Sequence, residues 1–215
     1  MFEFAINPTL WLTFAGASTL LILMPGPIVT LVVANSLTQG ARAGLTNIIG
    51  NTTALIIFFT IGGLGMVWVM SLLSDWFNMI RWAGAVYLIY IGIKAWMAKS
   101  HGLEEHLKTR TTKKQSRAFF LQGFVVGITN PKMIIFYAAF FPQFMDPTLP
   151  AAGQLFVLSI TFLIIATILD SCYAVLAGKL RPWLTGERRG RIRNRITGTL
   201  LIGTGLALAL TRKAP

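Results

Sequence analysis

Lys132 and Asp170 are the two residues best placed to do chemistry, because each interrupts a long apolar run far from any polar loop. An ionisable side chain at bilayer depth costs roughly 3 kcal/mol or more and marks function by default. One residue is a cation and the other an anion, and a free amino acid carries one group of each sign. The pair therefore suits a site that meets an ammonium and a carboxylate. The same two charges would also serve as an ion bridge that locks two helices together.

Two interruptions of the backbone accompany them. Met24-Pro25-Gly26-Pro27 stands about two-thirds along one apolar run, and Thr129-Asn130-Pro131-Lys132 stands at a comparable depth in another. Proline removes an N–H and clashes with the preceding turn, so each break frees backbone carbonyls where no water is at hand. Side chains, trapped water or a ligand must satisfy them. Asn47 and Asn51, four apart on one helical face, add a polar stripe with Thr46 and Thr53; helix-to-helix hydrogen bonding and substrate contact both explain such a stripe. The candidate substrate-binding residues are thus Pro25, Gly26, Pro27, Asn47, Asn51, Asn130, Pro131, Lys132 and Asp170. Gly40 with Gly44, and Gly123 with Gly127, have the small-xxx-small spacing that permits close helix packing. Tyr87, Tyr90 and Tyr137 read as packing or interface residues, and Lys94 and Arg81 lie near enough to helix ends to reach the interface.

The elements that must position these residues are membrane helices. Hydrophobic residues make up 54% of the 215-residue chain, mean hydropathy is +0.66, and apolar stretches near bilayer-spanning length recur throughout. The stretches run roughly from Leu10 to Val33, Gly44 to Met70, Met79 to Met97, Ala118 to Phe141, Gln154 to Gly178 and Ile196 to Leu210. Six transmembrane helices leave no room for a separate soluble domain. The second has an alternative early end in Gly62-Gly63-Leu64-Gly65. The start Met1-Phe2-Glu3-Phe4 carries no basic region and no small-residue cleavage site follows the first run, so no removable leader is expected.

The net charge of +12 would suggest nucleic acid in a soluble protein, yet thirteen of the nineteen Lys and Arg residues lie in two short loops. That placement reads as cytoplasmic retention beside anionic lipid, with no nucleic-acid partner. The third loop holds Lys99, Lys108, Arg110, Lys113, Lys114 and Arg117; the fifth holds Lys179, Arg181, Arg188, Arg189, Arg191, Arg193 and Arg195. Both are expected in the cytoplasm, with the Asp146 loop and both termini on the periplasmic side, although Arg212 and Lys213 sit uneasily there. Cutting in the basic loop gives a single domain of two halves, a first repeat at about 1–98 and a second at about 118–215, joined by the loop at about 99–117. Three spans per half is the arithmetic of an inverted repeat, with helices 1 and 4 broken at matching depth. Arg81-Trp82-Ala83-Gly84 and Arg195-Ile196-Thr197-Gly198 echo it faintly.

Together, Met24-Pro25-Gly26-Pro27, the run from Gly84 to Ile93, the run from Gly123 to Lys132 and Phe141-Pro142-Gln143-Phe144 resemble the lysine-exporter family in its homoserine and threonine efflux branch. The resemblance covers nearly the whole chain; Gly50-Asn51 departs from the more glycine-rich pattern expected there. It implies an all-α integral membrane protein of the bacterial inner membrane, exporting small amino acids or their derivatives in exchange for protons, with no cofactor and a homodimer as its assembly.

Rivals fare worse on the residues. An enzyme lacks a nucleophile elbow or a zinc-binding helix, since His101 and His106 fall in the basic loop beside Glu104 and Glu105, and Ser171 beside Asp170 has no base. A divalent-cation exporter, the alternative from a related branch, needs several oxygen ligands, and one membrane carboxylate with a lysine beside it is a poor set. A channel would not need paired broken helices. Cys172 has no partner for a disulfide.

Overall fold

Asn7 starts the first helix by accepting the Thr9 N–H on its side-chain oxygen at 3.0 Å, with Pro8 in the first turn, where a missing N–H costs nothing. A computed structural model describes residues 6–64, 66–97, 113–184 and 187–210, and every regular element among them is helical. The α-helices are α1 (Pro8–Leu23), α2 (Pro27–Gln39), α3 (Ala41–Leu64), α4 (Met66–Met97), α5 (Lys113–Ile128), α6 (Pro131–Phe140), α7 (Ala151–Leu180) and α8 (Glu187–Leu210). Short 3-10 turns at Phe141–Phe144 and Arg181–Leu184 follow α6 and α7. The basic loop around Lys99, His101, Glu104, Glu105, His106, Lys108 and Arg110 lies outside the described residues.

Two helices among the described residues are long and apolar enough to cross a bilayer alone, at Ala41–Gly63 and Ala151–Trp183, and α1 with α2 makes a third span bent by 52°. Three of the departures of the helix bounds from the sequence expectation have a local cause. First, α3 stops at Leu64, taking the early end that the glycine cluster offers. Second, α4 runs unbroken from Met66, where the sequence suggested a loop before Met79. Residues 66–83 hold polar singletons but neither Gly nor Pro, so nothing there ends a helix. Third, α8 begins at Glu187 rather than Ile196, because Glu187 and the arginines up to Arg195 favour helix enough to carry it through Gly190 and Asn194.

Gly40 is the whole connection between α2 and α3, and its φ of +94° is a conformation that favours glycine. Beyond that turn α3 runs back along α2, α5 and α7, while α4 packs along α8. The expected close helix packing is found at Gly44, Gly123 and Gly127, whereas Gly40, also expected to pack helices, forms the turn instead. A Cβ on Gly44 would overlap the Ser36 hydroxyl, and one on Gly123 would overlap the Asn47 carbonyl oxygen, so α2–α3 and α3–α5 approach backbone to backbone there. Gly123→Val is expected to cost roughly 1–3 kcal/mol, seen as a lower melting temperature in detergent. Gly203→Val, where a Cβ meets nothing within 4 Å, is expected to melt like the parent.

Two apolar cores result. Near the end that holds Asn7 and Asp146, Phe14, Phe59, Phe136, Tyr137, Phe141 and Phe162 interlock, with Phe14 edge-on to Phe141 at 5.1 Å. Gly62 makes room for Tyr137, whose ring and hydroxyl occupy the space a Cβ would need. Toward the opposite end the packing is aliphatic, through Leu31, Val32, Leu88, Val126, Ala174 and Leu201. The loop after α6 is held by Gln154, fully buried, which accepts the Asp146 N–H at 2.7 Å and donates to the Asp146 and Leu149 carbonyls. Bonds from Thr148 and then from Asn7 hold the Asp146 carboxyl below the usual aspartate range. The two helix breaks lie between the cores.

Candidate functional site

Each break creates a C-terminal helix end and an N-terminal one, and the hydrogen bonds of all four can be traced. At α1 the carbonyls of the last turn lose their partners, because Pro25 and Pro27 have no N–H to give. The Met24 N–H returns to Leu20 and Leu21. Lys132 crosses from α6 and donates its Nζ to the Leu21 carbonyl and, at 2.7 Å, to the Met24 carbonyl. Tyr173, from α7, donates its hydroxyl to the Leu23 carbonyl at 3.0 Å. Cationic and hydroxyl donors thus meet the negative end of the α1 dipole.

The second break is closed by its own residues. Thr129 returns both its N–H and its hydroxyl to the Val125 carbonyl, and the Asn130 N–H reaches Gly127. Asn130 then caps α6, accepting the Lys132 N–H on its side-chain oxygen at 3.2 Å, with Pro131 in the first turn. The start of α2 differs. Its N-cap is Gly26, which has no side chain to cap with, and the first intrahelical bond is Thr30 N–H to Gly26 O at 2.9 Å. The Ile28 and Val29 amides of that first turn are left pointing along the positive end of the helix dipole.

That uncapped turn faces a small cavity that is partly open outward. Gly26, Ile28 and Val29 line it from α2, Asn130 and Lys132 from the second break, Asn51 and Leu55 from α3, and Phe162, Ala166 and Asp170 from α7. Asp170 is 2% exposed, and its Oδ1 accepts no hydrogen bond from the protein. Lys132 lines the same cavity as Asp170, yet its donated bonds go to the α1 carbonyls. Asn51 Oδ1 is likewise without a partner and lies against Gly127.

The candidate residues therefore divide. Gly26, Asn51, Asn130, Lys132 and Asp170 share the cavity. Pro25, Pro27 and Pro131 shape the breaks, Pro25 being exposed and the other two opening α2 and α6. Asn47 does not line the cavity: fully buried, it donates to the Phe119 carbonyl at 2.7 Å and accepts from Asn35, which also bonds Gln122 at 2.9 Å. It joins α2, α3 and α5. Tyr173 and the carbonyls of Leu21, Leu23 and Met24 are site elements that sequence reasoning passed over; the one available signal was the position of Tyr173, three residues from Asp170 on the same helical face. Among the described residues no three His, Cys, Asp or Glu side chains gather where a metal ion would bind.

Broken helices that meet at a cavity holding a lysine and an aspartate inside an apolar bundle are the architecture of a membrane transporter. The chain belongs to the LysE type translocators, whose family profile matches residues 19–212. It is 34% identical over 205 residues to the homoserine/homoserine lactone efflux proteins of Salmonella typhi and Salmonella typhimurium, covering 95% of this chain and 98% of each relative. An uncharacterized membrane protein of Vibrio cholerae is 31% identical over 203 residues, covering 94% of this chain and 97% of that one. No solved structure matches.

Proposed function

We propose that this protein exports small neutral amino acids and close derivatives, of the homoserine and threonine kind, by holding them in the cavity between the two breaks. The observation that carries this reading is a coincidence of needs. The uncapped start of α2 and the buried carboxylate of Asp170 face the same space. Asp170 would take the substrate ammonium, and the first turn of α2, with the Lys132 charge nearby, would take the carboxylate. Leu55, Phe162 and Ala166 offer an apolar wall that suits a short side chain. The names of the Salmonella relatives support the substrate class.

Proton exchange fits the same carboxylate. A lone buried charge is costly, and either a proton or an ammonium relieves it, so the two compete for Asp170. Efflux from vesicles of a panel of labelled amino acids tests the substrate class. Neutral species such as homoserine and threonine are expected to leave at least tenfold faster than lysine or arginine, since the cavity has no second carboxylate for a basic side chain. Strong transport of lysine or arginine alone would refute this.

The arrangement we infer in the bacterial inner membrane is a single domain of six spans in two inverted halves, at about 1–98 and 118–215, assembled as a homodimer. Both termini and the Asp146 loop would be periplasmic, and the basic loops cytoplasmic beside anionic lipid. A membrane-impermeant thiol reagent on intact cells is expected to label a cysteine at position 146 and to spare one at position 110. The opposite pattern reverses the orientation.

A further inference from the structure

At the α1 end the Leu23 and Met24 carbonyls accept no backbone N–H, Leu21 only shares the Met24 N–H with Leu20, and the end carries the negative pole of a helix dipole. Freed carbonyls at such an end are a cation site, as unwound helices in transporters use them. Here a cation of the chain itself fills it. The Lys132 ammonium donates to the Leu21 and Met24 carbonyls, and the Tyr173 hydroxyl takes Leu23 between them. Its stem runs over Gly26, where a Cβ would stand 3.5 Å from the Lys132 Cδ and 3.8 Å from its Nζ. At those distances an added Cβ would only touch the stem, so the lysine's reach to the carbonyls does not depend on glycine there.

We propose that the carbonyl end of α1 is a monovalent-cation site whose resident is the Lys132 ammonium, so that the protein needs no free sodium or potassium ion there. Lys132 is on this view a positioning residue: it ties the broken end of α1 to the start of α6, and it does so whether or not Asp170 receives the substrate. An ammonium has three donors and no acceptor, so two carbonyls leave one donor toward the cavity. A lysine is suited to the task because its long stem carries a fixed positive charge to the carbonyls.

The test uses purified full-length protein in detergent with no amino acid present, so its outcome is independent of the substrate assignment. The parent is expected to melt at the same temperature in sodium, potassium and choline chloride of equal ionic strength. Lys132→Ala, which removes the propylammonium part of the side chain, is expected to melt roughly 5 °C lower or more. At least half of that loss should return on adding n-propylammonium, and none on adding tetramethylammonium. Lys132→Arg keeps a cation within reach and is expected to melt near the parent and to ignore propylammonium. A parent stabilised by sodium or potassium overturns the proposal, as does a Lys132→Ala variant that propylammonium does not help. If Lys132→Ala yields no folded protein, the arginine variant decides: melting near the parent supports the resident cation, and instability overturns it.

Discussion

Asp170→Asn is expected to reach the membrane in normal amount and to export at about one hundredth of the parent rate or less. Removing one partner of a desolvated charge contact typically costs 2–5 kcal/mol or more, and one hundredfold is about 2.7 kcal/mol. Folding should survive, because Asp170 makes no ion pair that the bundle depends on: its Oδ1 has no protein partner, and Lys132 spends its bonds on the Leu21 and Met24 carbonyls. The asparagine side chain has the same shape and is neutral, so it also removes the cost of a lone charge. The double variant Asp170→Asn with Lys132→Gln separates the two roles the charges could have. A purely structural pair predicts that the double change restores both stability and efflux. A site that grips a zwitterion predicts a protein that remains inactive at matched abundance. Near-parental efflux by the double variant would refute the binding role of Asp170.

The positions of the breaks were legible in the sequence because proline acts locally: Pro25, Pro27 and Pro131 each remove an N–H wherever they fall. Lys132 and Asp170 were legible for a similar reason, since a charge in an apolar run stands out regardless of its neighbours. Their partners were not. The Lys132 ammonium goes to backbone carbonyls, which every residue has and no residue type advertises. Asn47 and Asn51 sit on one stripe of α3, yet Asn51 reaches the cavity while Asn47 turns to Phe119 and Asn35. What separates them is how α5 lies on α3 at Gly123, a tertiary fact that a helical period does not encode. The same holds for the helix bounds. Residues 71–78 looked like a loop because they mix polar and apolar residues, but a loop needs a breaker, and there is none.

Ala166 offers the most direct access to the cavity as a binding site, because it lines the space one helical turn before Asp170 and is 5% exposed. Cysteine in its place adds one sulfur atom. With Cys172, which is exposed, replaced by Ala, the variant carries a single thiol. A small neutral reagent such as methyl methanethiosulfonate then adds a methylthio group over the apolar wall, beside the carboxylate that would hold the ammonium. Efflux is expected to fall about tenfold or more on modification, as filling a shaped pocket removes the substrate from its productive position.

The decisive measurement is the rate of that labelling as the concentration of a transported amino acid rises. Substrate in the cavity shields the thiol, so labelling is expected to slow at least fivefold at saturation, with half-protection at the concentration that half-saturates efflux, and an amino acid that is not exported should give no protection. Labelling of Ala166→Cys that proceeds at one rate with and without a saturating, exported substrate would contradict the assignment of the cavity between the two broken helices as the transport site.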